Sequence, residues 1–242
     1  MSQPVAFVTG ATGHQGGATA REILNAGVKV HALVQDPASK SATELPDLGA
    51  HLTAGNFDNP SSLNAALAGT TAVFLNVSPV FPNTETEVVH ARNIIDAAIA
   101  SRTVTCIIYS SVSMTGRHDA YRGDTAMTIV DVGDVGKFAA AAILDPVTFH
   151  THEIELGVEA LTPAEIVRAL SRVSGREIGL EFYSDDEVQE LAARNPVVRS
   201  QVWANEVGYW VDFKRLEKYG IHLTRFGEYF ERHVEEVRGT FS

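Results

Sequence analysis

Short apolar runs alternate with longer amphipathic stretches through the first half of the chain. Val5–Thr9 (VAFVT) is a continuous apolar run that ends in Gly10, and Gly16–Asn25 behind it is rich in Ala, Leu, Ile and Glu before Gly27. A short apolar run predicts a buried strand and a closing glycine a helix end, so this segment predicts strand, turn, helix. The alternation returns, with strands expected at Val28–Val34, Ala72–Val77 and Val104–Ser111 and helices at Pro60–Leu67 and Glu85–Ser101. Apolar strands separated by helices pair in parallel and are covered on both faces. The expected fold class is α/β, a doubly wound parallel sheet over residues 1–113 with its ligand crevice at the carboxyl ends of the strands.

The second half, residues 114–242, is patterned as a smaller α+β part packed against the first. Thr128–Val130 is a short apolar piece, Asp131 and Asp134 are placed to cap a helix through Leu144, and Glu153–Leu156 and Arg176–Phe182 alternate as strands do. Thr162-Pro163-Ala164-Glu165 and Ser184-Asp185-Asp186-Glu187 are capping-box sequences that predict helix starts. Near the end, Phe226, Tyr229, Phe230, His233, Val234 and Val237 recur at helical spacing.

Composition narrows the function classes. With 30 acidic against 19 basic residues the formal charge is −11, the wrong sign for gripping a phosphate backbone, so no direct nucleic-acid partner is expected. No apolar stretch approaches the roughly 18 residues of a membrane span, and no secretory leader pattern opens the chain. A single cysteine, Cys106, inside an apolar run, reads as a buried thiol in a reducing compartment. A cytoplasmic protein is expected, with a nuclear pool compatible. His150 and His152 are two apart, but spacing supplies no third donor, so no metal site is expected.

The strongest chemical signal is Gly10-Ala11-Thr12-Gly13-His14-Gln15-Gly16-Gly17, placed between the first strand and the first helix. Glycines spaced three and three serve three ends: a tight exit from the strand, room for a pyrophosphate, and close approach of helix to strand. The helix start then offers unpaired N–H groups and a positive dipole end to a diphosphate. His14 lies beside that position, either near the phosphates or as a surface side chain. About twenty residues on, Gln35 and Asp36 follow the second strand, where an acid accepts ribose hydroxyls and an arginine would pair with the extra phosphate of NADP. No arginine stands there, and Asp36 is equally placed to cap the Pro37–Lys40 turn, so NAD or NADP remains open. Asn56 and Phe57 are placed either to line an adenine or to form a turn. Asn76, Val77 and Ser78 at the fourth strand's end would reach the nicotinamide ribose.

The loop GATGHQGG, the strand end LVQDP, the GNFD turn, IIYSSVSMTGRHDA, DVGDVGKFAAAA and HEIELGVEALTPAEIVRALSRVSGREIGLEFY together resemble the NmrA-like family of atypical short-chain dehydrogenases. That family includes fungal nitrogen-regulator and redox-sensor proteins and biosynthetic oxidoreductases. The resemblance covers nearly the whole chain and implies a Rossmann-type fold. It also implies nicotinamide dinucleotide contacts at Gly10, Thr12, Gly13, Gln15, Gly16, Gln35, Asp36, Asn56, Phe57 and Asn76–Ser78.

Catalytic members of the superfamily use a Tyr with a Lys four residues later. The six tyrosines here, at 109, 121, 183, 209, 219 and 229, are followed at that distance by Ser113, Thr125, Glu187, Phe213, Leu223 and His233. None has its Lys. Lys137, the nearest to the required segment, reads as a solvated side chain. Only fourteen residues separate Ser113 from Thr128, without helical periodicity, where the family pattern places a helix and a further parallel strand. The sheet is therefore expected to stop at its fifth strand. Ser111 and Tyr121 remain as candidates to orient a small carbonyl or enone. The functions left open are an oxidoreductase with a small-molecule substrate, a non-catalytic redox sensor that contacts a regulatory protein, and an isomerase or cyclase using acids such as Asp119 or Asp124.

Overall fold

The computed structural model describes residues 3–78, 83, 85–111, 125–196, 198–199, 201–202 and 211–240. In chain order the elements are β1 (Val5–Val8), α1 (His14–Asn25), β2 (Lys29–Val34), α2 (Lys40–Asp47), β3 (His51–Ala54), α3 (Pro60–Leu67), β4 (Ala72–Leu75), α4 (Glu85–Ser101) and β5 (Cys106–Tyr109). There follow β6 (Met127–Ile129), α5 (Val132–Leu144), α6 (Pro146–Phe149), β7 (Glu159–Leu161), α7 (Pro163–Ser174), α8 (Asp185–Arg194), α9 (Phe213–Glu217), α10 (Phe226–Arg232) and α11 (Val234–Thr240).

The first five strands form one parallel sheet in the order β3-β2-β1-β4-β5. The chain winds outward through β2 and β3, then crosses to the other side of β1 for β4 and β5, so the order reverses between β1 and β4. A crevice opens at the carboxyl ends of strands at such a switch point. Both faces are buried, which explains the continuous apolar runs. Ala6, Val8, Val30, Ala32 and Phe74 pack with Ala20, Ile23, Leu45, Ala140 and Ile143, while Phe7, Leu33, Val73 and Leu75 pack with Leu63, Leu67, Ile94 and Ala98. β5 ends the sheet among the described residues. Its Cys106 and Ile108 lean on the first of these cores, while Ile107 and Tyr109 are exposed.

The chain divides into two compact units, the first made of residues up to Ser111 together with Val132–Glu153, the second holding the remaining described residues. Against the expected boundary at residue 113, α5 and α6 join the first unit. α5 lies along α1 so closely that a Cβ on Gly136 would stand 2.9 Å from the Cα of Thr19 and the Cβ of Glu22. In the second unit β6 pairs antiparallel with β7, Met127 opposite Leu161. Both predicted capping boxes are complete, Thr162 with Glu165 opening α7 and Ser184 with Glu187 opening α8.

The structure departs from expectation in three places. Residues 37 and 38 turn as expected, but the helix α2 that follows was not predicted, because only Ala42 and Leu45 of its polar stretch are buried. Glu153–Leu156 and Arg176–Phe182 alternate but belong to no strand; the strand of this region is β7, a few residues later. His150 and His152 flank a turn at Thr151, whose φ is 57°. The C-terminal stripe is divided at His233. Its ring Nδ1–H donates to the Tyr229 carbonyl at 2.7 Å, the acceptor its own N–H would use in a continuous helix, and that N–H bonds Phe230 O instead.

Candidate functional site

Gly10 leaves β1 with φ +62°, a conformation that favours glycine, and turns the chain so that Gly13 N–H donates to Gly10 O at 2.8 Å. Gly13 then stands as the N-cap of α1 and supplies no side chain to its N–H groups, and no acidic residue occupies the first turn. The opening N–H groups of a helix have no intrahelical acceptors, and here no side chain of the cap satisfies them. Gly16 cannot be replaced at this packing: a Cβ would fall 2.2 Å from Gly10 O and 2.6 Å from Thr9 O. Thr12, Gly13 and His14 are exposed, Gln15 half-buried, and Gly16 buried. The result is a backbone cradle whose donors face an accessible rim, the chemistry a diphosphate requires.

The other strand ends converge on the same edge of the sheet. Thr9, fully buried, places its Oγ1 within 3.1 Å of Phe74 O and 2.8 Å of Asn76 O as donor and accepts Asn76 N–H at 2.7 Å. This ties the exit of β1 to the exit of β4 across the switch point. On the far side of β4, Ser110 N–H donates to Leu75 O at 2.9 Å, and the Ser110 hydroxyl donates to the Gln15 side-chain oxygen at 3.3 Å. The link joins the end of β5 to the first turn of α1. Ser110 stands with Ser111 at the strand end where sequence places a hydroxyl for a substrate carbonyl, whereas Thr9 was not singled out; a threonine closing an otherwise apolar run was the available signal.

After β2, Gln35 and Asp36 are both exposed. Asp36 Oδ1 accepts Ala38 N–H at 2.9 Å, and its carbonyl accepts both the N–H and the hydroxyl of Ser39, so the turn role weighed for this aspartate is present. The N-cap of α2 is Ser39. After β3, Asn56 is exposed with Oδ1 accepting Asp58 N–H at 3.0 Å, while Asn59 caps α3 through the N–H groups of Ser61 and Ser62. Phe57 is half-buried, edge-on to the His90 ring at 5.6 Å, and its carbonyl accepts the Asn93 amide at 2.9 Å. Asn76 and Val77 are half-buried and Ser78 exposed. Thus the predicted residues from Gly10 to Ser78 lie in the segments that follow β1, β2, β3 and β4 at the carboxyl ends of the strands, with His14, Gln15 and Gly16 in the first turn of α1.

The catalytic candidates fare differently. Ser111 follows β5 and is exposed. Tyr121, Asp119 and Asp124 lie outside the described residues. Lys137, expected to be a solvated side chain, instead reaches Asp134 Oδ1 at 2.5 Å, and that carboxylate is fully buried in α5. Burial pushes the Cys106 thiol above its ordinary range, which disfavours the nucleophilic thiolate.

An all-parallel sheet in this order, with a glycine-floored helix start at its switch point, defines the Rossmann-type dinucleotide-binding class of α/β fold. The chain belongs to the NmrA-like family, whose model matches residues 2–125 and 118–230. The two matched stretches overlap over residues 118–125. The chain is 40% identical over 110 residues to the NmrA-like family domain-containing oxidoreductase notA of Aspergillus sp. (strain MF297-2), covering 43% of this chain and 32% of that protein. It is 38% identical over 120 residues to the corresponding oxidoreductase ptmS of Penicillium ochrochloron, covering 46% and 36%. The matched part thus spans about a third of the length of these relatives. Among solved structures, NmrA, a negative transcriptional regulator in complex with NAD, superposes with a TM-score of 0.76 at 16% identity, covering 100% of this chain and 98% of that one. The Citrobacter sp. triphenylmethane reductase complexed with NADP(H) gives 0.69 at 19% identity, covering 95% and 99%. Among the described residues, no helix is long and apolar enough to cross a membrane.

Proposed function

We propose that the chain binds a nicotinamide dinucleotide with its diphosphate on the Gly10–Gly16 loop and acts as an oxidoreductase on a small carbonyl or enone. The observation that carries this reading is the uncapped start of α1, floored by glycines and placed at the switch point between β1 and β4. Thr12, His14, Gln15 and the backbone of Gly13 and Gly16 would surround the diphosphate, Gln35 and Asp36 the adenosine ribose, Asn56 and Phe57 the adenine, and Asn76–Ser78 the nicotinamide side. When bound, such a cofactor supplies a hydride donor or acceptor. Ser111, after β5, would orient the substrate oxygen, with Tyr121 as the second candidate.

A second reading, a redox sensor that binds the cofactor without turnover and signals to a regulatory protein, is favoured by one feature. No tyrosine of the sequence has a lysine four residues on, and the nearest lysine, Lys137, is engaged by the buried Asp134.

Titration of the protein with NADH and NADPH by intrinsic fluorescence tests the shared premise. Binding of at least one below about millimolar, or beyond about −4 kcal/mol, is expected. Gly13 has φ −93°, which any residue adopts, and a Cβ there meets only Gly10 O at 3.3 Å. Gly13→Leu should therefore fold yet lose the nucleotide, and retained affinity would locate the diphosphate elsewhere. Incubating the loaded protein with a carbonyl panel then separates the two readings: cofactor oxidation rejects the sensor.

A further inference from the structure

We infer that His90 of α4 is a positioning residue for the nucleotide: paired with Asp58, it sets the loop after β3 against the adenine, and it holds that loop more firmly when protonated. The inference rests on the dinucleotide reading above and adds to it a residue outside the strand-end segments and a dependence on pH.

The loop after β3 is shaped locally, with Asn56 Oδ1 accepting Asp58 N–H at 3.0 Å and the Ser62 hydroxyl donating to Asn56 O at 3.1 Å. Its hold on the rest of the unit comes from α4. His90 and Asn93 stand three residues apart and so share one face of that helix. The Asn93 amide donates to Phe57 O at 2.9 Å, and the His90 ring is edge-on to the Phe57 ring with centroids 5.6 Å apart. His90 Nε2 lies 3.2 Å from Asp58 Oδ1. One helix face thus meets the backbone, the ring and the carboxylate of two successive loop residues.

The pair with Asp58 is incomplete. Nε2 is shut off from water, and although Oδ1 is within ion-pair distance the two are not aligned as a hydrogen bond, so this buried nitrogen has no hydrogen-bond partner among the described residues. A buried polar atom in that state costs free energy that a small movement of the carboxylate recovers. Asp58 has room for it, its side chain being 69% exposed against 17% for His90. A nucleotide seated on Asn56 and Phe57 would restrict the loop and the adjoining carboxylate with it, which links completion of the pair to binding. An imidazolium donates from both ring nitrogens and attracts a carboxylate, whereas neutral imidazole donates from one. Histidine changes charge between roughly pH 5 and 8, so protonation and binding each favour the other. The ionisable neighbours act with one sign: Asp58 on the loop and Glu87 one turn earlier on α4, with none on α3.

The test is calorimetric titration of the full chain with NADH, NADPH and ADP-ribose, which share the adenine, at about pH 6 and about pH 8, each in two buffers of different ionisation enthalpy. His90→Gln keeps a side-chain donor that does not titrate. Asp58→Asn, at an exposed position, reads the same link without touching the buried side of the pair and keeps the backbone N–H that Asn56 accepts. His14 on the diphosphate loop contributes its own pH dependence, which persists in both variants, so the quantity read is their difference from the unaltered chain. The ratio of affinity at the lower pH to that at the higher should be about three-fold larger in the unaltered chain than in either single variant, with the double variant matching the single ones. Proton uptake on binding should fall in the same variants. A loss of affinity equal at both pH values assigns His90 a merely structural part and overturns the inference. Variants with the affinity and proton uptake of the unaltered chain overturn it as well and leave the dinucleotide reading standing. Failure of all three ligands to bind the unaltered chain at either pH overturns the inference together with the reading beneath it.

Discussion

The hydroxyl of Thr9 and the backbone of Asn76 hold each other from both sides, Thr9 Oγ1 donating to Asn76 O at 2.8 Å and accepting Asn76 N–H at 2.7 Å. The pair fixes the distance between the strand that feeds the glycine loop and the strand whose end would meet the nicotinamide side. Thr9→Val conserves shape and removes the hydroxyl's bonds, leaving the part-buried N–H and C=O of Asn76 without that partner, at a cost of about 1–3 kcal/mol. A lower unfolding midpoint and weaker nucleotide binding are expected together, and Thr9→Ser should restore both. A valine variant with unchanged midpoint and affinity would show that the strand ends need no such tie.

Gly16 and Gly13 separate folding from binding. A Cβ on Gly16 meets backbone oxygen and carbon of Gly10 at 2.2 and 2.4 Å, and neither can yield without moving β1 or α1. Gly16→Ala should cost about 3 kcal/mol or more, enough to deplete soluble protein. Gly179→Ala is the control, because nothing lies within 4 Å of a Cβ there. Equal midpoints for the two alanine variants, measured by thermal or urea unfolding, would mean that the loop is looser than described.

The sheet, its two faces and the loop were legible because each rests on local chemistry. An apolar run bounded by glycine is a strand whatever its partners, and Gly10 and Gly16 are demanded by φ and by close approach respectively. The capping boxes at Thr162 and Ser184 were legible for the same reason, each being complete within four residues. What escaped notice depends on distant partners or on few residues. Thr9 gains its meaning from Phe74 and Asn76, more than sixty positions away, and α2 buries only Ala42 and Leu45. The apparent strand at Arg176–Phe182 failed because alternation specifies a face but not a neighbouring strand to pair with; Phe182 and Tyr183 stand exposed.

Asp134 and Lys137 form an asymmetric pair in α5. The carboxylate is fully buried, whereas the lysine side chain is 28% exposed and has a route to water. Removing the lysine takes an ammonium from a fully buried carboxylate, whereas removing the aspartate leaves an ammonium that has a route to water. Lys137→Met is therefore expected to destabilise by about 2–4 kcal/mol and Asp134→Asn by less, with the double variant closer to the latter. Urea unfolding of the three variants checks the order, and a larger loss for Asp134→Asn would reverse the assignment of the costly partner.

His31 supplies the pH dependence with the clearest sign. It sits on β2 directly opposite His51 of β3, ring centroids 5.0 Å apart, with Nδ1 3.2 Å from the Ala66 carbonyl. Burial lowers its pKa below the ordinary 6.5, the Ala66 carbonyl opposes this, and the positive charges of His51 and Lys29 reinforce it. A base whose folded pKa is depressed is protonated first in the unfolded chain, so the unfolded state takes up the extra proton as pH falls. The stability His31 contributes is complete above about 6.5 and is lost as pH falls from there through the lower folded value. Unfolding midpoints followed from about pH 7.5 to about pH 5 should fall, and His31→Gln should flatten the fall within that window. Identical slopes for the two proteins would assign the loss to other groups.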